Sequence, residues 1–281
     1  MSAAMSRPFL KMNGLGNDFV VVEARSAPFA PTADEVRAIA DRAKGVGCDQ
    51  LIAIEPPAAD ANGEGADARV RFWNADGEEV AACGNGARCV GWLLMQSSGK
   101  DRIVIETKAG RLIAERAGER LVSVDMGEPG LDWTQIPLAE AHDTRALGVS
   151  LHPALSQAPG CVSMGNPHVV FFVPDIETAP VTEAGPAIER HPLFPERVNV
   201  GFAQVKDRGH IRLRVWERGA GLTRACGTGA CAALVAAARR DLTDRAAILE
   251  LDGGELFIEW REDGHVIMTG PAAVDFAGEL P

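Results

Sequence analysis

The sequence predicts an α+β fold of two pseudo-symmetric domains, each a curved, mostly antiparallel sheet or barrel wrapped round a central helix. Three observations predict it. Short β-rich runs outnumber helical patterns and several are joined by hairpin turns. The octapeptides "ACGNGARC" (82–89) and "ACGTGACA" (225–232) write one glycine-rich corner twice. The likeness between the two halves also reaches well beyond those octapeptides. A length of 281 residues suits two domains, each with its own core.

In chain order the β-rich runs are "DFVVVEA", "DQLIAIE", "ARVRFWN", "RIVIET" and "RLVSVDM". They are followed by "HVVFFV", "VNVGFAQV", "HIRLRVWE", "AILELD", "ELFIEW" and "HVIMTG". "TKAGRL" and "ELDGGEL" sit between strands as hairpin turns, glycine supplying the positive φ. Helical patterns are few: 33–44 after a Thr32 cap, 85–97 after Cys83, a weak one at 181–189, and 228–241 after Cys226. Consecutive hairpins favour antiparallel pairing over a doubly wound parallel sheet.

Cys83 and Cys226 align at an offset of 143 residues, which also places Arg71 on Arg214, Trp73 on Trp216, Gly86 on Gly229 and Gly127 on Gly270. Earlier in each half the offset is 149: "GNDFVV" falls on "GNPHVV", Asn17 on Asn166 and Gln50 on Asn199. Two copies are too few for a solenoid. The expected domains are 6–128 and 129–270, facing each other across a cleft, with a tail at 271–281 packing back on the N-terminal domain.

Acidic residues number 39 against 28 basic ones, a net charge of −11, and the basic residues form no stripe. Nucleic acid is therefore not an expected partner. "MSAAMSRPFLKMNG" lacks the apolar core of an export signal, and no run is long and apolar enough for a bilayer, so a cytoplasmic protein without membrane contact is expected. On that reading the six cysteines are thiols and not a disulfide framework. Tyrosine is absent, leaving Cys, His, Asp, Glu and Lys as proton carriers.

In each corner a cysteine precedes Gly-x-Gly and then an apolar segment, "ARCVGWLLM" or "ACAALVAAA". Such a helix is buried, and its start presents unpaired N–H groups and the positive end of the helix dipole. Those favour an anion and a thiolate. Two corners across one cleft suit proton transfer at a carbon next to a carboxylate, one thiolate removing the proton from one face and one thiol supplying it to the other. No cofactor is required. A buried structural cysteine is the plain alternative, and it remains the reading for Cys48, Cys89, Cys161 and Cys231. Metal binding has the wrong spacing, and a dithiol redox role lacks C-x-x-C. Phosphate binding lacks the flanking pattern of a P-loop or dinucleotide fold.

Asn17, Gln50, Asn74 and Asn85 in the first half, with Asn166, Asn199, Glu217, Arg218 and Thr228 in the second, form a polar set at strand ends or turns. Singly, each reads as a turn amide or cap. Their registered pairing points them to the cleft. Where Asn74 would repeat, the second half carries Glu217, then Arg218 and a flexible "GAG". That adjacent acid and base suit a substrate with a second ammonium and a second carboxylate.

The segments "GLGNDF", "GCDQL", "FWNADGEEVAACGNGARC", "SMGNPHVVFF", "ERVNVGF", "WERGAGLTRACGTGACAA" and "MTGPA" resemble the diaminopimelate epimerase family over 11–271. The resemblance implies interconversion of LL- and meso-diaminopimelate without pyridoxal phosphate or metal, in lysine and peptidoglycan precursor synthesis, by a homodimer. It implies Cys83 and Cys226 as the acid–base pair, and Asn17, Gln50, Asn74, Asn166, Asn199, Glu217 and Arg218 as substrate contacts. Gly84, Asn85, Gly227 and Thr228 would bind the reacting carboxylate through backbone donors. His168 and Glu217 would assist the thiols, although His168 by its residues alone reads as a turn histidine. Cys48, Leu222 and Phe276 depart from residues common in the family, the last at a position associated with dimer contacts. Proline racemase-like and phenazine-type isomerases are related alternatives, and a thiol sensor is one from another class. The first would leave the Glu217–Arg218 pair idle, the second lacks paired thiols, and the third does not explain the amide set.

Overall fold

The computed structural model describes residues 7–58 and 65–280; the expected domain start at residue 6 and the last residue of the tail lie outside the described residues. Among the described residues, seventeen strands and four helices follow in this order. The first half contains β1 (Arg7–Gly14), β2 (Asn17–Glu23), α1 (Ala33–Ala40), β3 (Gln50–Glu55), β4 (Ala68–Asn74), β5 (Glu79–Val80), α2 (Gly84–Ser98), β6 (Arg102–Thr107), β7 (Gly110–Arg116) and β8 (Leu121–Asp125). The second contains β9 (Gly160–Ser163), β10 (Pro167–Phe172), α3 (Val181–Glu189), β11 (Asn199–Asp207), β12 (His210–Glu217), β13 (Gly221–Thr223), α4 (Gly227–Ala238), β14 (Ala246–Leu251), β15 (Gly254–Trp260), β16 (Val266–Pro271) and β17 (Ala273–Leu280). The fold is α+β. Two compact units divide the chain: the residues up to Val124 together with those from Gly270 onward, and Asp125–Thr269.

In the first unit the strands run β17–β1–β2–β3–β4–β6–β7, with β5 beside the far end of β4. Two of these pairs, β2–β3 and β4–β6, are parallel. Parallel neighbours require a crossover, and α1 and α2 lie in those two connections. The hairpins alone did not reveal this mixture. The second unit repeats it: β10–β11 and β12–β14 are parallel, with α3 and α4 in the crossovers, and the remaining pairs are antiparallel. β17 lies along β1, pairing Arg7 with Leu280.

Sheet curvature follows from what the central helices touch. α2 packs on β1 and β2 and also on β6 and β7, strands from both ends of its sheet. α4 likewise meets β9, β10, β11, β12, β14 and β15. A helix so enclosed must be thin. Ten of the twelve residues of α4 are buried and most are Ala or Gly; a Cβ on Gly160 would lie 3.2 Å from the Ala236 methyl. α2 is less uniform, because Arg88 is fully buried within a segment the sequence reads as apolar. Helix α1 covers the other face of its sheet through Val36 and Ala40, packed with Val20, Val22, Leu51, Ala53 and Trp73. α3 does the same through Val181, Ala184 and Ile188 against Val169, Phe171, Val200 and Phe202. Strands covered on both faces read as continuous apolar runs, hence "FVVV" and "LIAI".

Three expectations are corrected. Helix α1 stops at Ala40 and not at 44, because Asp41 turns extended (φ −60°, ψ 118°) and its carboxylate accepts from Ala43 N and Lys44 N at 2.7 and 3.1 Å. That local bond replaces the helical ones. Helix α4 stops at Ala238 and not at 241, where Asp241 is left-handed (φ 56°). His168 lies in the buried strand β10, not in a turn.

Candidate active site

In each unit one edge of the sheet gathers the polar set. β2 and β3 start there and β4 ends there, since Phe19 pairs with Gln50 and Gln50 with Asn74. The start of α2 reaches the same edge: a Cβ on Gly86 would lie 2.9 Å from Phe72 Cε1 and 3.0 Å from Ile52 Cδ1, two residues inward from Asn74 and Gln50. The second unit repeats this with β10, β11 and β12, where His168 pairs with Asn199 and Val200 with Trp216.

Both cysteines are helix N-caps. Cys83 is extended (φ −143°, ψ 114°) and its Sγ accepts from Gly86 N at 3.4 Å. Cys226 (φ −118°, ψ 105°) accepts from Gly229 N at 3.3 Å. Sulfur in a role usually taken by Ser, Thr, Asp or Asn brings it against the unpaired N–H groups. Neither helix has an acidic residue in its first turn. α1 is the contrast: Thr32 and Glu35 form a capping box and Asp34 adds a second carboxylate. At α2 and α4 the positive end of the dipole is therefore left for the sulfur and for an external anion.

Around Cys83, the Gln50 amide donates to Asn74 Oδ1 at 2.8 Å and the Asn85 amide to Asn17 Oδ1 at 3.4 Å. Arg88 donates to Asn85 Oδ1 at 2.8 Å. Around Cys226, the Asn166 amide donates to Thr228 Oγ1 at 3.3 Å, and Thr228 Oγ1 lies 3.7 Å from the sulfur. Asn17–Asn85 and Asn166–Thr228 are thus the same pair at the two offsets. His168 Nε2 lies 2.9 Å from Asn166 Oδ1. Burial first, and the Arg218 charge second, push its pKa down to about 3. His168 is a neutral imidazole that donates to Asn166, and it is linked to Cys226 through Asn166 and Thr228.

Glu217 stands near enough to the second thiol for its charge to act on it, and its carboxylate accepts from the Thr223 hydroxyl. Burial, then the Glu217 charge, raise the Cys226 thiol well above its ordinary range. The hydrogen bonds from Gly229 and Thr228 act the other way, but the net direction is upward, so Cys226 rests as the thiol and not as the thiolate expected from the helix start. Arg218 donates its backbone N–H to Asn199 Oδ1 at 2.9 Å and its guanidinium to Glu196 O at 2.9 Å. All six cysteines lie among the described residues, and none of them is in a disulfide. Cys48 and Cys89 are buried, and burial pushes them up to about 11 and about 12, as befits packing residues.

Several supporting groups escaped the sequence reading. Asp49 Oδ2 accepts from the Asn17 amide at 2.7 Å and from Asp18 N at 3.0 Å, fixing the orientation of Asn17. Asp18 is held by Lys11 at 2.6 Å and Arg42 at 2.9 Å. The only signal was adjacency, for Asp18 follows Asn17 and Asp49 precedes Gln50. Glu189 at the end of α3 also went unremarked.

The fold is shared with solved structures of other proteins. A hydroxyproline epimerase from Agrobacterium vitis, solved with bound trans-4-hydroxy-L-proline, superposes with a TM-score of 0.69 at 16% identity, covering 100% of this chain and 94% of that one. A Bacillus anthracis phenazine biosynthesis protein of the PhzF family gives 0.68 at 17% identity over 98% and 99%. At those identities the likeness concerns the fold alone. Sequence is more specific. The profile described as diaminopimelate epimerase matches residues 9–131 and 160–274. Diaminopimelate epimerases of Phenylobacterium zucineum and of a Caulobacter species are 78% and 62% identical, covering 100% of both chains and 99% and 98% respectively. The chain belongs to the diaminopimelate epimerase family, a family of amino-acid isomerases.

Proposed function

We propose that this chain interconverts LL- and meso-diaminopimelate by a two-base mechanism in which Cys83 and Cys226 act on opposite faces of one α-carbon, without pyridoxal phosphate or metal. The observation that carries this reading is the doubled N-cap: two sulfurs, each bonded to the third amide of a helix whose first turn holds no carboxylate. One thiolate takes the α-proton, and the electron pair of the C–H bond passes into the substrate carboxylate. The opposing thiol delivers its proton to the other face and keeps its electron pair as a thiolate. Substrate and product exchange the roles of the two sulfurs.

The charge that grows on the carboxylate is met by helix N–H groups at Gly84 and Asn85 and at Gly227 and Thr228, a fixed electrostatic complement to the transition state. The pairs Asn17–Asn85 and Asn166–Thr228 orient the amide and hydroxyl groups beside each sulfur. His168, neutral and buried, positions Asn166. Glu217 keeps Cys226 protonated, ready to serve as the acid, and also contacts substrate. With Arg218, and with Gln50, Asn74 and Asn199, it holds the distal amino-acid end. That pair favours a diamino diacid over a monocarboxylic imino acid. Family membership supports placing the reaction in lysine and peptidoglycan precursor synthesis, in the cytoplasm, carried out by a homodimer.

The test is to incubate the reduced protein with LL-diaminopimelate, without added pyridoxal phosphate, and to separate the stereoisomers by chromatography. The meso form accumulates with wild type, and Cys83→Ala or Cys226→Ala lowers the rate at least about 100-fold. No meso form from folded, reduced protein defeats the substrate assignment; full activity in either alanine variant defeats the mechanism.

A further inference from the structure

Glu189 is placed against two rules at once. It is the last residue of α3, where the negative end of the helix dipole disfavours a carboxylate, and it is only 2% exposed. No basic residue lies in that last turn. A carboxylate that breaks local preference twice must be held by distant partners. Those partners are the N–H groups on either side of Glu217 and Arg218. Oε2 accepts from Trp216 Nε1 at 2.8 Å, and Oε1 accepts from Gly219 N at 3.1 Å. Arg197 stands 3.7 Å from Oε1. The backbone carbonyl of Glu189 accepts from Val198 N at 3.2 Å, one residue before Asn199, whose side chain in turn accepts from Arg218 N.

The indole is fixed from a second side. A Cβ on Gly185, one turn earlier in α3, would lie 2.7 Å from Trp216 Cγ, so glycine is what allows the ring to lie against the helix and reach Glu189. Gly219 is left-handed (φ 77°), bending the chain back so that its amide points to Oε1. The first unit does without this device: Ala40 stands at the equivalent place, and the turn after Asn74 rests instead on Ala33, 2.6 Å from where a Gly77 Cβ would lie. That half also carries Asn74 where the second has Glu217. The carboxylate strut therefore accompanies the acid–base pair that breaks the repeat.

We propose that Glu189 is a positioning residue for Glu217 and Arg218, clamping the turn between its two oxygens so that the carboxylate meets Cys226 and the guanidinium meets the distal end of the substrate. The inference rests on the epimerase reading for its catalytic consequence, but not for its structural one. Glu189→Gln keeps the volume yet offers one acceptor to two donors, so one bond is lost. The variant should fold, raise KM for LL-diaminopimelate about tenfold, and also lower kcat through Glu217. Backbone amides of Arg218 and Gly219 should exchange with deuterium about tenfold faster. Adding Trp216→Phe removes the indole donor, lets the one remaining acceptor at position 189 serve Gly219 alone, and should recover part of the loss. Unchanged KM, kcat and amide exchange in folded Glu189→Gln would overturn the proposal. Should that variant fail to fold, Trp216→Phe alone is expected to raise KM several-fold, and no change there would overturn it equally. If wild type shows no turnover, the epimerase reading fails, while the exchange rates still decide the clamp.

Discussion

Asn166 donates its amide to Thr228 Oγ1 at 3.3 Å, and beside the other thiol the equivalent pair is bonded in the reverse direction, Asn85 donating to Asn17 Oδ1 at 3.4 Å. The copy differs in what stands behind it. Asn166 is backed by His168, whereas the equivalent place in the first unit is Phe19 and Asn17 is backed by Asp49. Each amide is thus oriented by a different second group, although the fold around it is duplicated.

The buried neutral His168 makes stability depend on pH. Its folded pKa of about 3 lies below the ordinary 6.5, so the unfolded chain binds the proton first. Its contribution is complete above about pH 6.5 and is lost as pH falls toward 3, with a slope of up to about 1.4 kcal/mol per pH unit. Urea unfolding between pH 7 and 4 should show this loss in wild type. His168→Phe, the residue of the equivalent strand position, should flatten that part of the slope.

Glu217 and Cys226 are coupled through charge. Replacing the carboxylate by a neutral amide removes one of the two causes that raise the thiol, so Glu217→Gln lowers its pKa. In a Cys83→Ala background, iodoacetamide should label Cys226 faster at pH 8 in Glu217→Gln than with Glu217 present, read by peptide mass mapping. Equal rates would remove Glu217 as a control on the thiol.

The two N3 glycines should fail differently. An alanine methyl at 86 would meet Phe72 and Ile52 in the core, costing about 1–3 kcal/mol. At 229 it would meet the Cys226 sulfur and Val215 Cγ2, both at 3.0 Å, displacing the sulfur that we propose as one of the two bases. Gly86→Ala is expected to lower the unfolding midpoint. Gly229→Ala should lower kcat by roughly 10- to 100-fold with a smaller change in stability.

Much of this was legible because the signals are local. A cysteine, two glycines and an apolar run identify a capped, buried helix within eight residues, and the repeat identifies it twice. What escaped depended on distant partners. β1 carries Lys11, a residue type seldom buried, which here is buried against Asp18 and the Gly47 carbonyl. β17 carries Asp275 and Glu279 on a strand defined by its pairing with β1, far away in sequence. The parallel pairs depend on crossovers, which hairpin turns do not announce. His168 opens the β-rich run "HVVFFV" but follows "GNP", so by its residues alone it reads as a turn histidine; its burial comes from pairing with Asn199 of β11 and Val162 of β9, which no local pattern announces. Glu189 and Asp49 act on residues 27 to 32 positions away, so neither leaves a pattern in its own neighbourhood.

Two different sulfurs serving the two faces of one carbon, as we propose, leave a signature in the fate of the α-proton in heavy water. Proton NMR and mass spectrometry of LL-diaminopimelate during early turnover by reduced wild type should show meso product carrying solvent deuterium at the inverted centre, while recovered LL substrate keeps its proton. Meso product that retains the original proton, or LL substrate that exchanges as fast as product forms, would contradict two opposed bases and point to a single group serving both faces.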